Sequence, residues 1–245
     1  MRKTIFFSFM LFLLITACNK SVEYETLSAR WPVFGDVYAL KDEFPDSAMM
    51  LMQSVADTLE EKSLLLESPF LFNEYQILST ELRYKNYVPV GNDSLTEQAF
   101  NFYETLLHQS NTASHDEFLL FQFARSLYYK AVVESQRKQT MESYSDFIRS
   151  LEVMDELTEK RHIFQISEKN LDYEHFIALI YTRIASFLYR YDAWEVALEV
   201  LEKSNESFTV EDNALGIADN LEMMCDIMLA QSERVAAIQY FKATT

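Results

Sequence analysis

This 245-residue chain has only three glycines and four prolines, and 14% of its residues are aromatic. Few backbone breakers and many large apolar side chains favour long packed helices and argue against an all-β fold. The formal charge of −17 disfavours nucleic acid as a partner of this segment, because phosphates require a basic surface. The composition therefore predicts an all-α protein with a solvated acidic exterior.

The first 17 residues have the pattern of a secretory signal peptide. Arg2 and Lys3 precede an apolar run over residues 5–15, and Thr16 and Ala17 follow it, which is the order of regions in such peptides. The run is too short for a spanning helix, which takes about 20 apolar residues. The pattern predicts that residues 1–17 are removed on export.

The ending Ile15-Thr16-Ala17-Cys18 resembles the lipobox of bacterial lipoproteins. The resemblance implies that Cys18 is lipidated and begins the mature chain, so that acyl chains anchor it to a membrane without spanning it. Asn19 is not the aspartate of that family's inner-membrane retention signal, which favours the outer membrane, facing the periplasm or the cell surface. The alternative is an ordinary signal peptide that happens to contain a cysteine.

Residues 18–44 are interpreted as a tether and capping segment, and residues 45–245 as a domain of helical repeats. Helices are predicted to begin at Pro45 and Pro69. Apolar residues then recur at helical spacing in paired segments, which we interpret as about four antiparallel hairpins. These hairpins are predicted at 70–109, 115–158, 171–204 and from 212 onward, with connections at 159–170 and 205–211.

The clearest hairpin covers residues 181–204, where the small residues Ala185 and Ala197 stand at the expected crossing of two helices. Larger apolar residues surround this crossing at Tyr181, Leu188 and Leu201. The spacing resembles the tetratricopeptide repeat (TPR), in which each unit of about 34 residues forms one hairpin. The resemblance implies an α-solenoid, because a single hairpin must stack on neighbours to bury its faces. Asp192 stands where that family has a turn glycine.

Two further segments carry a narrower resemblance. Phe44-Pro45-Asp46-Ser47-Ala48 and Arg83-Tyr84-Lys85-Asn86-Tyr87 are similar to the N-terminal half of TPR lipoproteins of Bacteroides-like bacteria. The resemblance implies an interaction scaffold without assigned catalytic residues. Many members continue into a transmembrane helix and a cytoplasmic coiled coil or DNA-binding domain. An alternative is therefore that the chain is the sensor half of a membrane-linked transcriptional regulator. The last helix is either an imperfect cap of the array or a sign of C-terminal truncation, and we favour truncation.

No pattern of catalytic or metal-binding residues stands out, and we expect neither an enzyme nor a cofactor. His175 follows Asp172 and Glu174, which would suggest a metal cluster. Acidic residues are common in the first turn of a helix, however, and the set lacks the ligands that a metal site needs. Cys225 lies on a predicted helix among apolar residues and is expected to be a buried small residue.

The aromatic residues offer a candidate binding surface. Tyr84, Tyr87, Tyr128 and Tyr129 are the candidate contact residues, lining a concave face that holds an extended peptide or stacks on sugars. The alternative is that these rings pack in the core. The sequence therefore predicts a non-catalytic scaffold at the cell envelope, with a protein or peptide ligand in a groove lined by the first helix of each hairpin. A glycan- or nutrient-binding lipoprotein is the alternative.

Overall fold

A computed structural model describes residues 27–61, 64–91, 94–109, 117–163, 171–210 and 212–244. The signal peptide and Cys18 lie outside these residues. Within them every regular element is helical, which confirms the all-α prediction. The α-helices are α1 (Leu27–Arg30), α2 (Gly35–Leu40), α3 (Pro45–Glu61), α4 (Leu64–Glu67), α5 (Pro69–Lys85), α6 (Leu95–Gln109), α7 (Glu117–Gln136), α8 (Thr140–Ile163), α9 (Leu171–Arg190), α10 (Trp194–Val210) and α11 (Ala214–Thr244), with a 3₁₀ turn at Pro32–Phe34.

The predicted helix starts at Pro45 and Pro69 are confirmed. Proline suits the first helical position because the N–H that it lacks would have no intrahelical partner there. At the second start the hydroxyl of Ser68 also accepts a hydrogen bond from the Leu71 N–H at 3.3 Å, which is an N-cap. Local sequence signals therefore place these two ends without help from the rest of the fold.

Helices α7 and α8 form one antiparallel hairpin, and α9 and α10 form another. Serine hydroxyls on each second helix donate to carbonyls on the first, all at 2.8 Å: Ser143 to Ala131, Ser150 to Ala124, and Ser204 to Ala178. Ala185 and Ala197 are fully buried, as predicted for a close crossing. Small residues allow this approach, and each serine hydroxyl has a backbone oxygen of the facing helix as its acceptor, so the buried donor is satisfied.

The turns that end α5, α7, α9 and α10 share one backbone motif, and none of them uses glycine. Tyr87, Lys138, Asp192 and Asp212 have φ of 56°, 63°, 57° and 57°. In the α9–α10 turn the N–H of Ala193 donates to the Leu188 carbonyl at 3.0 Å, which is the longer bond of a Schellman-type end. The left-handed residue in this motif is usually glycine, so the replacement predicted at Asp192 recurs at three other helix ends.

The predicted fourth hairpin is wrong, because the described part of the chain after 213 is the single helix α11. The segment around Gln231 contains good helix formers and no proline, so nothing local breaks the helix. The predicted connection at 205–211 is also wrong, since α10 continues to Val210. Asn205 is polar, but its side-chain oxygen accepts from Asn220 of α11 at 2.9 Å, and this tertiary contact satisfies it inside a helix.

Two smaller predictions are also wrong, one about the end of a helix and one about the burial of a cysteine. Helix α8 extends to Ile163, beyond the predicted end at 158. Cys225 is exposed rather than buried, because α11 packs on α10 through another face that includes Met224 and the fully buried Ile227. None of the described helices combines the length and apolarity that crossing a bilayer requires.

Candidate functional site

Helix α5 packs on α6, as α7 does on α8 and α9 on α10. The first helices of these three pairs, α5, α7 and α9, share a face that carries a buried network of charged and aromatic side chains. At its centre the Glu74 carboxylate is fully buried. Arg125 Nη1 donates to both of its oxygens at 2.8 and 2.9 Å, and Gln122 Nε2 donates at 2.5 Å. The Tyr38 hydroxyl of α2 donates to the same carboxylate. Both oxygens are therefore occupied, so Glu74 holds three helices together and is not available as a catalytic base.

A second carboxylate lies two turns further along α5. Glu81 is 3% exposed and forms ion pairs with Lys41 Nζ at 2.7 Å and Lys85 Nζ at 3.1 Å. Burial alone would raise its pKa, but the positive charges of Lys41, Lys85 and Arg125 outweigh that effect and hold the pKa well below its usual range. Glu81 therefore stays ionised inside the protein.

Aromatic hydroxyls line the same network. Tyr129 donates a hydrogen bond to Glu81. Burial is the main cause, and the negative charge of Glu81 the second cause, that raises the pKa of this phenol well above its usual value. Burial and then the charge of Glu74 act in the same way on the pKa of Tyr38. Both phenols remain protonated at neutral pH and act as hydrogen-bond donors.

The network reaches the surface at Arg183 of α9. Its guanidinium lies over the Tyr84 ring at 4.9 Å, and its Nε donates to the Tyr128 hydroxyl at 3.3 Å. Tyr84 and Arg183 are each partly exposed. The network also reaches the surface at Lys85 and Asp42, where the carboxylate of Asp42 accepts a hydrogen bond from the Lys85 ammonium group. These two edges are the parts of the network that are accessible to solvent.

The four predicted contact tyrosines occupy different environments. Tyr128 and Tyr129 are 2% and 4% exposed, and Tyr87 is 96% exposed. Arg183 brings Tyr84 and Tyr128 together, whereas Tyr129 packs deeper, against Glu81. Tyr128 and Tyr129 therefore serve as core residues here, and ligand contact by the set stays a prediction. We use the term aromatic rim for Tyr84, Tyr87 and Arg183.

Sequence reasoning missed Glu74, Gln122 and Arg125. Gln122 and Arg125 occur in the largely apolar helix α7, where they share one side at i and i+3, whereas Glu74 lies in α5 among both polar and apolar residues. The i, i+3 spacing of two polar residues within an apolar helix was the one sequence feature that could have indicated the network. Polar residues on a helix are ordinarily assigned to the solvent-facing side, which is why the pattern does not reveal that they are buried.

A second aromatic group was also missed. Phe187 of α9 stacks on Tyr144 with ring centroids 4.1 Å apart, and on Tyr191 at 4.6 Å. Tyr191 is 56% exposed, so the outer ring of this stack is open to solvent. We call these three residues the aromatic stack.

His175 was considered above as a possible metal ligand together with Asp172 and Glu174. Its Nδ1 lies 3.5 Å from Asn213 Nδ2, and its ring packs edge-on against Phe208 at 6.0 Å. Among the described residues, no group of three or more His, Cys, Asp and Glu side chains is placed to hold a metal ion. His175 therefore takes part in the packing of α9 against the end of α10.

Comparison of the chain with protein-family models, with curated proteins and with solved structures gave no significant match.

Proposed function

We propose that this protein is a non-catalytic interaction scaffold built of TPR-like hairpins, held at the cell envelope by a lipid on Cys18. Its partner is a protein or peptide segment that contacts the aromatic rim. The anchor rests on the signal sequence and lipobox-like ending, and the scaffold role rests on the repeated hairpin geometry. Arrays of this kind present extended surfaces for binding.

The observation that carries the repeat assignment is a common register between two hairpins. Ala178 and Ser204 of the α9–α10 hairpin lie 54 residues after Ala124 and Ser150 of the α7–α8 hairpin, and each pair forms the same hydrogen bond. The left-handed turn residues Lys138 and Asp192 are separated by the same 54 residues. Two structural units therefore repeat in detail, with a period longer than the usual TPR unit of about 34 residues.

Tyr87 is the residue that favours binding at the aromatic rim. It adopts φ of 56°, a conformation that costs an ordinary side chain about 1–2 kcal/mol. Its ring is 96% exposed and forms no hydrogen bond or ring contact with the described residues. A large aromatic side chain that is almost fully exposed, on a backbone in a strained conformation, suggests a function outside the fold.

Glycine substitution tests this idea directly. Tyr87→Gly relieves the backbone strain, so we expect a protein that is more stable by about 1 kcal/mol and that retains less partner. Lys138→Gly is the matched control, because it removes a side chain from the same left-handed position of the next hairpin. The measurement is affinity capture from envelope extract with each variant, quantified by mass spectrometry, beside urea unfolding.

A partner that the wild type and the Lys138 variant retain, and that the Tyr87 variant loses, supports the proposal. Equal retention by all three proteins would show that the rim is not the binding surface. If the wild type enriches no partner over the bare resin, the scaffold proposal itself fails.

The aromatic stack favours a glycan as the second candidate ligand. Exposed aromatic rings present flat apolar faces on which sugar rings can stack, and Tyr191 offers such a face. A glycan array probed with the wild type and with Tyr191→Ala tests this alternative. Signals that depend on Tyr191 would support glycan binding, and signals shared by both proteins would not.

A further inference from the structure

We propose that the outer face of α11 is a second docking surface, which binds an amphipathic helix carrying a row of basic residues along one flank. The surface lies on a helix that contributes nothing to the aromatic rim. The two proposals can therefore fail independently.

The outer face of α11 is apolar along most of its described length. Leu221, Met228, Leu229 and Val235 are 50%, 53%, 61% and 53% exposed, and Cys225 is exposed among them. Their spacing of three, four and seven residues places most of them in one stripe. The opposite side of the helix, with the fully buried Asn220 and Ile227, is occupied by α9 and α10. The outer stripe is thus left without cover by the described residues.

A row of carboxylates runs beside the stripe on one flank. Asp219, Glu222, Asp226 and Glu233 are exposed and follow helical spacing, and none of them forms an ion pair with the described residues. Arg234, the nearby basic residue, points to the other side of α11. It packs over the Trp194 ring at 5.1 Å and lies 3.8 Å from Asp192. No cation of the described residues therefore neutralises this row of carboxylates.

The combination specifies the chemistry of the occupant. An apolar stripe of this width matches the face of one helix, which is recognised through residues at i, i+3, i+4 and i+7. Charged rows that flank such a stripe select the partner, and this row selects lysine or arginine. A second copy of this chain would bring the same acidic row and another charge of −17, so it lacks the basic flank.

The test uses two designed 21-residue helical peptides, both with leucine at the heptad a and d positions. One carries lysine on the flanking positions, and the other carries glutamate. Fluorescence anisotropy with the full chain should show binding of the lysine peptide at least about tenfold tighter at low salt, with a smaller difference at high salt. Bound lysine peptide should also slow the alkylation of Cys225, followed by peptide mapping.

Variants locate the site. The double variant Glu222→Lys with Asp226→Lys should reverse the preference in favour of the glutamate peptide. Leu221→Asp with Leu229→Asp should abolish binding of both peptides. Met50→Asp is the matched control, because Met50 on α3 is 76% exposed and lies outside this surface, so it should change nothing.

Three results would overturn the proposal. The first is equal affinity for the two peptides, and the second is binding that survives the leucine substitutions. The third is a dimer in sedimentation velocity that Leu221→Asp dissolves, which would show that a second copy covers the stripe. Partner capture that depends on Tyr87 would be unaffected by any of these results, because it concerns the aromatic rim.

Discussion

Individual residues of the buried network hold together helices of the N-terminal half of the described chain. Glu74 and Arg125 come from helices α5 and α7 and are 0% and 3% exposed. Desolvating two charges costs about as much as their attraction returns, so a complete pair adds little net stability. Removing one partner is different, because it leaves a buried charge without compensation.

We therefore expect Arg125→Met to lower the free energy of unfolding by about 3–5 kcal/mol. Arg149→Met is the control: Arg149 pairs with Glu104 at 3.0 Å, but its side chain is 44% exposed, so its loss should cost no more than about 1 kcal/mol. Urea unfolding at neutral pH measures both. The double variant Glu74→Met with Arg125→Met should recover most of the loss, and a double variant as unstable as the single one would contradict this account.

Glu81 should make stability depend on acid pH. Its pKa in the folded protein is well below the usual value, whereas in the unfolded chain it returns to about 4.3. The unfolded state therefore binds the proton more readily. The stabilisation by Glu81 is complete above the unfolded pKa and is lost as pH falls through the folded pKa.

The urea midpoint of the wild type should accordingly fall more steeply between about pH 5 and pH 3 than that of Glu81→Gln. Glu104→Gln, which removes a partly exposed carboxylate of a surface pair, is the control and should retain the wild-type slope. Parallel curves for the wild type and Glu81→Gln would show that the ion pairs with Lys41 and Lys85 do not contribute to folding.

At the scale of the elements, the helix ends are under more strain than the helices. Four described helix ends place a non-glycine residue in the left-handed region. The chain has only three glycines, so glycine is rarely present to adopt this conformation without strain. Aspartate tolerates this conformation better than most residues. Strain at Asp192 should consequently be smaller than at Tyr87 or Lys138.

Asp192→Gly should stabilise the protein by less than about 1 kcal/mol, and Asp192→Val should destabilise it, because a β-branched residue fits the left-handed region poorly. Thermal unfolding followed by circular dichroism orders the three proteins. If the valine variant matches the wild type, the turn must have rearranged, and the Schellman-type end would not be needed for the α9–α10 hairpin.

Some helix boundaries follow from the residues next to them, and others depend on residues that are distant in the sequence. The starts at Pro45 and Pro69 and the close crossing of Ala185 with Ala197 follow from residue type and spacing. The end of α10 does not, because Asn205 is stabilised inside the helix by Asn220, fifteen residues later. A polar segment is predicted as a connection unless its distant partner is known.

At the scale of the whole molecule, the proposed lipid anchor would place the protein at a membrane. Cys18 lies outside the described residues, and the prediction that it is lipidated rests on residues 1–18. One acyl chain binds a membrane reversibly, and stable anchoring takes more than one chain. The anchor can be tested without knowledge of the partner.

Cys18→Ser should move the protein from the membrane fraction to the soluble fraction and abolish incorporation of labelled palmitate. Cys225→Ser is the control and should leave both unchanged, because Cys225 lies on α11, far along the chain from the lipobox-like segment. Continued palmitate labelling of the Cys18 variant would contradict the lipoprotein assignment.

The sequence by itself determined the all-α class, the helix starts and the small residues at the hairpin crossing. Each of these depends on residues within one or two turns of helix, whose preferences act locally. Only the tertiary structure decided that α11 is one helix, that Cys225 is exposed, and that Glu74 pairs with Arg125, 51 residues away. A buried charge is tolerated only where its partner is present, and that partner comes from another helix, which the local pattern of neither helix identifies.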